Sequence, residues 1–69
     1  MDIRQCLGRN LRRLREAKGL SQEKFAFEAH IHRTYISDIE RGARNPTIMV
    51  VKRLADALGV TAAELLLGD

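Results

Sequence analysis

The chain has 69 residues, a net charge of +3, 45% apolar residues and 30% charged residues. It reads as one domain spanning 1–69, too short for a multidomain enzyme or an attached sensor and too apolar for a disordered tail. A single cysteine, Cys6, excludes an internal disulfide and a thiolate zinc cluster, and no apolar run exceeds four residues, which excludes a membrane span or signal peptide.

With one proline and three aromatics, the composition favours helices over a β-sandwich. Stability of about 3–10 kcal/mol is the scale for this length, so it rests on helix packing and on association with a second copy. The charge is uneven: +4 over residues 1–19, −1 over 20–42 and zero over 43–69. A basic N-terminal segment suits either a polyanion partner or a solvated helix face.

The first expected helix covers about 2–18. Leu7, Leu11 and Leu14 fall at i, i+4 and i+7 on one stripe. Asp2 and Lys18 suit the two ends of the helix dipole, and Gly19 supplies the stop. Ser21 is an N-cap for a second helix over about 22–29, with Phe25, Ala26 and Ala29 on one face.

A third helix is expected from His32 or Arg33 to Arg41, with Ile36 and Ile39 inward and Arg33, Thr34, Ser37 and Asp38 outward. Only His30, Ile31 and His32 separate it from the second, and so short a turn forces a large crossing angle.

Residues 41–45 form a polar loop. Either Asn45, with Pro46 at the first helical position, or Thr47 caps the fourth helix. Ile48, Val51, Leu54, Ala55 and Leu58 form its stripe, and Gly59 ends it. Thr61-Ala62-Ala63-Glu64 is a capping box that opens a last helix through Leu67.

Two helices joined by a tight turn, the second exposing short polar and basic groups, describe a helix-turn-helix over about 21–41. An α-helix fills the major groove of B-DNA, and a helix N-terminus attracts phosphate. The segments L-S-Q-E-K-F-A at 20–26, I-H-R-T-Y-I-S-D-I-E-R-G at 31–42 and R-N-P-T at 44–47 resemble the lambda-repressor-like helix-turn-helix family, of the Xre or Cro/repressor type. L-G-R-N-L-R-R-L-R-E-A-K-G at 7–19, A-D-A-L-G-V at 55–60 and A-A-E-L-L at 62–66 resemble its first, fourth and fifth helices.

The resemblance implies an all-α, five-helix domain that binds double-stranded operator DNA as a two-fold dimer, without a cofactor. It implies base-edge contacts from Arg33, Thr34 and Asp38, with Ser37 close by, on a recognition helix over about 33–41. Gln22 would touch a phosphate, and Arg41, Arg44 and Asn45 would lie along the DNA backbone. Arg15 and Glu40 match a family ion pair beneath the recognition helix.

The residue chemistry leaves alternatives open at several of these positions. Arg33 can hold two guanine acceptors or a phosphate. Thr34 can pack on a thymine methyl or bond a phosphate. Asp38 can accept from cytosine or pair with Arg33 or Arg41. The Tyr35 phenol can reach a phosphate, or the ring can pack on the loop at 41–46.

Met49, Val50, Leu66 and Leu67 exceed the needs of the core stripes and are candidates for a subunit contact, since one module alone buries only about 600–1,000 Å² on DNA. Phe27 points away from the apolar face of its helix, to cover the start of the first helix or to meet a partner. His30 stands where the family usually has glycine, and His32 where it usually has a Ser or Thr cap. His30 and His32 have no evident third ligand for a metal.

The expected protein is a cytoplasmic, nucleoid-associated regulator of bacterial or phage origin, similar to restriction-modification controllers and phage-type repressors. RNA polymerase and a toxin-like protein are its candidate partners besides DNA. The rival reading is a protein-interaction module or antitoxin component on the same fold. Two histidines, one thiol and scattered carboxylates make no nucleophile–base arrangement, so no enzyme is expected.

Overall fold

The computed structural model describes residues 2–68 as five α-helices: α1 (Ile3–Ala17), α2 (Gln22–Ala29), α3 (Arg33–Glu40), α4 (Ile48–Leu58) and α5 (Ala62–Leu66). Each begins at a side-chain cap that satisfies a backbone N–H the helix itself leaves open. Asp2 accepts from the Arg4 N–H, Ser21 from Lys24, His32 from Thr34, Thr47 from Val50 and Thr61 from Glu64, at 2.9–3.2 Å. The capping box at Thr61 and Glu64 forms in full. Thr47, not Asn45, caps α4, and Pro46 lies one residue before the cap. The third and fifth helices each stop one residue short of the expected end, at Glu40 and Leu66.

Four helices end in the same way. After α1, α2, α3 and α4 the chain passes through one left-handed residue, and the following N–H bonds back to a carbonyl five residues earlier: Leu20 to Arg15, Ile31 to Ala26, Ala43 to Asp38 and Val60 to Ala55. At three stops the left-handed residue is glycine; at the fourth it is His30, with φ 57°. A side chain in this region costs roughly 1–3 kcal/mol. Glycine removes that strain but loses about 0.4–1 kcal/mol of it again through unfolded-chain entropy. His30→Gly is therefore expected to stabilise the domain by about 1 kcal/mol, a Tm rise of about 4–8 °C. A thermal melt with Tm unchanged or lowered would remove the strain argument.

All five helices supply the core. Leu11, Phe25, Ile36, Ile39, Leu54 and Leu65 are completely enclosed, and Leu7, Ala26, Ala29, Val51, Ala55 and Leu58 surround them. α1 packs on α3, α4 and α5, α2 on α3 and α4, and α4 on α5. Ile48 departs from the stripe read in the sequence, whereas Phe27 points away from its helix's apolar face as expected. Ile48 is 86% exposed, because as the first residue of α4 it overhangs the body and lines an open groove with Ile3, Pro46 and Leu66. Phe27 is 82% exposed and covers nothing on α1, since it stands on the side of α2 opposite Phe25, Ala26 and Ala29.

Two α1 residues set its position. Gly8 is buried where the helix meets the end of α3: a Cβ there would lie 2.5 Å from the Ile39 carbonyl oxygen and 2.7 Å from that of Glu40. Asn10, also buried, donates its amide to the carbonyls of Leu65 at 2.8 Å and Leu67 at 2.9 Å, which fastens the end of α5 to α1.

Candidate nucleic-acid interface

α3 turns Ile36 and Ile39 into the core and leaves Arg33 and Thr34 exposed on its first turn. His32 caps this turn through Nδ1, which accepts the Thr34 N–H at 3.1 Å. An imidazole thus does the work of the expected Ser or Thr. The Arg33 guanidinium makes no ion pair among the described residues, so its fork of donors faces outward. Ser37 and Asp38 are half-buried on the same helix.

Asp38 is not an open acceptor. Arg41 donates to its Oδ1, and Arg44 donates through Nε to its Oδ2 at 3.3 Å. The Arg41 hydrogen bond is the main force holding the Asp38 carboxyl below its usual range, with the Arg44 bond helping. Arg44 also lies over the Tyr35 ring, 4.7 Å from its centre, in a cation–π contact. Of the two roles considered for Tyr35, the ring therefore does pack on the 41–46 loop, through Arg44.

Beneath α3 lies a buried polar knot. Arg15 of α1 donates to both oxygens of Glu40, at 2.6 and 3.1 Å, and a third donor reaches the Leu20 carbonyl at 2.6 Å. The two side chains are 9% and 5% exposed. Gln22, at the start of α2, donates its amide to Glu40 at 3.0 Å. One carboxylate thus joins α1, α2 and α3. Gln22 is accordingly turned toward Glu40 and keeps one amide hydrogen for another acceptor.

The remaining expected positions follow α3 in the chain. Asn45 is exposed and lines the apolar groove of about 150 Å³ between the start of α1 and the α4–α5 side, with Ile3, Pro46, Ile48 and Leu66. Met49, Leu66 and Leu67 are exposed, whereas Val50 is half-buried against the core. Gly8 and Asn10 carry no signal of their own as site residues, yet they hold the helix on which α3 rests. An isolated glycine inside a helical stripe is the one sequence cue to such a close approach.

Two short helices joined by a three-residue turn, with the second braced from below and polar outward, make a helix-turn-helix. The chain belongs to the helix-turn-helix family, whose sequence profile matches residues 11–65. It is 48% identical over 66 residues to the control protein C.BamHI of Bacillus amyloliquefaciens, covering 94% of this chain and 82% of that one. Its fold is similar to that of a hypothetical transcription factor from Neisseria, with a TM-score of 0.92 and 42% identity over 96% of this chain and 76% of the other.

The restriction-modification controller C.AhdI of Aeromonas hydrophila superposes with a TM-score of 0.86 and 44% identity, over 90% and 94% of the two chains. The controller C.Esp1396I, solved as a tetramer on its natural 35 base-pair operator, gives 0.85 and 31%, over 94% and 86%. The family is one of DNA-binding transcription regulators rather than enzymes. Among the described residues no helix is long and apolar enough to cross a membrane.

Proposed function

We propose that this protein is a transcriptional regulator of the controller type, which binds a palindromic operator in double-stranded DNA as a dimer. It acts in the cytoplasm and without catalysis. The observation that carries the reading is the outward first turn of α3: Arg33 and Thr34 stand free on a helix whose position is fixed by the buried Arg15–Glu40–Gln22 knot. α3 enters the major groove, with Arg33 and Thr34 at base edges and Ser37 beside them. Arg41, Arg44 and the second amide hydrogen of Gln22 face the sugar–phosphate backbone, with Tyr35 behind Arg44.

The second copy docks through the exposed apolar residues Met49, Leu66 and Leu67, a reading supported by the exposure of Ile3 and Ile48, which share a groove with Leu66. A two-fold dimer places two α3 helices about 34 Å apart, one turn of DNA. The operator complex of C.Esp1396I supports an operator-binding role for a chain of this fold.

Selection of bound duplexes from a random 30 base-pair pool at about 0.15 M salt tests the reading. The expected result is a two-fold motif with half-sites about one helical turn apart. In the same assay Arg33→Ala should lower affinity for the enriched duplex at least about 30-fold, and relax the base preference at one position of each half-site, the scale of two lost bidentate contacts, one per subunit. Uniform weakening with an unchanged motif would reassign Arg33 to phosphate. No enriched motif would favour the protein-interaction reading of the fold.

A further inference from the structure

Asp38 is a carboxylate on the face assigned to a polyanion, and its position there needs a reason. Its two oxygens are both taken: Oδ1 by Arg41 from the end of α3, Oδ2 by the Nε of Arg44 from the loop beyond. The carboxylate is 19% exposed, whereas the two arginines are 64% and 49% exposed. Arg44 is held on a second side by the Tyr35 ring under its guanidinium. An arginine that donates through Nε and rests one face on a ring keeps donors on its terminal amino groups for a further acceptor. Those are the donors that grip two phosphate oxygens at once.

We propose that Asp38 is a positioning residue that pre-orders Arg41 and Arg44 for the DNA backbone, and that it reads no base. This rests on the DNA-binding reading above and names the part that one residue plays in it. A free arginine side chain loses much of its rotamer freedom when it clamps a phosphate. The Asp38–Arg44–Tyr35 stack brings that loss forward into folding, so binding is spared it. Asp38 also repels the DNA, and the arrangement is useful only if the ordering of two cations outweighs that repulsion.

The sign of one substitution decides the matter. Asp38→Asn raises the net charge by one and, were Asp38 a spectator, would tighten binding to any duplex. Under the proposal it binds about 5–10-fold more weakly at about 0.15 M salt, both to the duplex enriched by selection and to an unrelated duplex of equal length. Base preference stays the same.

Arg44→Lys keeps the charge but loses the Nε bond and the flat stack, so in that background the Asp38→Asn effect shrinks to the part that runs through Arg41. Circular dichroism and Tm of each variant confirm that folded protein is being compared. Equal or tighter binding by Asp38→Asn overturns the proposal, as does a loss confined to one base position, which would make Asp38 a reader. If the wild-type protein binds neither duplex, the DNA-binding reading itself falls, and the proposal with it.

Discussion

Gly8→Ala is expected to lower the Tm by about 10–20 °C, although it replaces a poor helix residue with the best one. By propensity alone the change adds about 1 kcal/mol of stability in the middle of a helix. The surroundings reverse the sign. The new methyl carbon would sit 2.5 Å from the carbonyl oxygen of Ile39, 2.7 Å from that of Glu40 and 3.0 Å from the Glu40 carbonyl carbon. All three are backbone atoms of the last turn of α3, so no side chain can rotate away.

The helices must separate by several tenths of an ångström, which opens the contact between Leu7, Leu11 and Ile39. Overpacking of this kind costs typically 1–3 kcal/mol, occasionally more. Backbone on the far side places Gly8 at the upper end, with a net loss of about 2–3 kcal/mol and about 4–8 °C for each. Gly8→Val should be worse still. A thermal melt in which Gly8→Ala matches or exceeds the wild type would show that α1 and α3 have slack the structure does not display.

That contact also marks what the sequence could and could not convey. Helix ends were legible because their signals are local. Ser21 and Thr61 are good caps, Gly19 and Gly59 are stops, and each acts within four residues of itself. The faces of α2 and α3 were legible because their apolar spacing is complete within the element. Where the deciding partner is distant, the pattern fell silent.

Asn10 in mid-helix looks like a solvated residue, and the carbonyls that bury it are 55 and 57 positions away. Gly8 needs the end of α3, thirty-odd residues on, to explain it. Ile48 continued the stripe of α4 in period, but periodicity cannot tell that the helix begins there with nothing above it. The chemistry of Asp38 allows a cytosine acceptor or a partner of Arg33 or Arg41; the structure pairs it with Arg41 and Arg44. Arg41, three residues on, lies within helical reach, whereas Arg44 comes into place only through the loop that follows α3.

Glu40→Ala is expected to be the most damaging polar substitution, with a loss of about 3–5 kcal/mol. That is a large part of the roughly 3–10 kcal/mol available to a domain of this length. The variant leaves the Arg15 guanidinium buried with the Leu20 carbonyl as its remaining acceptor, and deprives the Gln22 amide of its partner. The penalty comes from the uncompensated charge, not from the worth of the intact pair, because taking two ions out of water consumes most of their attraction.

Arg15→Met combined with Glu40→Leu should therefore recover most of the stability that Glu40→Ala loses. Denaturation of the single and double variants checks this, and a double variant as unstable as Glu40→Ala would place the value in the pair itself. DNA affinity should separate from stability in the same set. Glu40 is where α1, α2 and α3 meet, and its directional bonds fix how α3 is presented. An apolar replacement fills the space without fixing the angle, so the double variant should fold and yet bind the selected duplex more weakly than the wild type. Wild-type affinity in a stable double variant would mean that the apolar contacts of Ile36 and Ile39 set the position of α3 unaided.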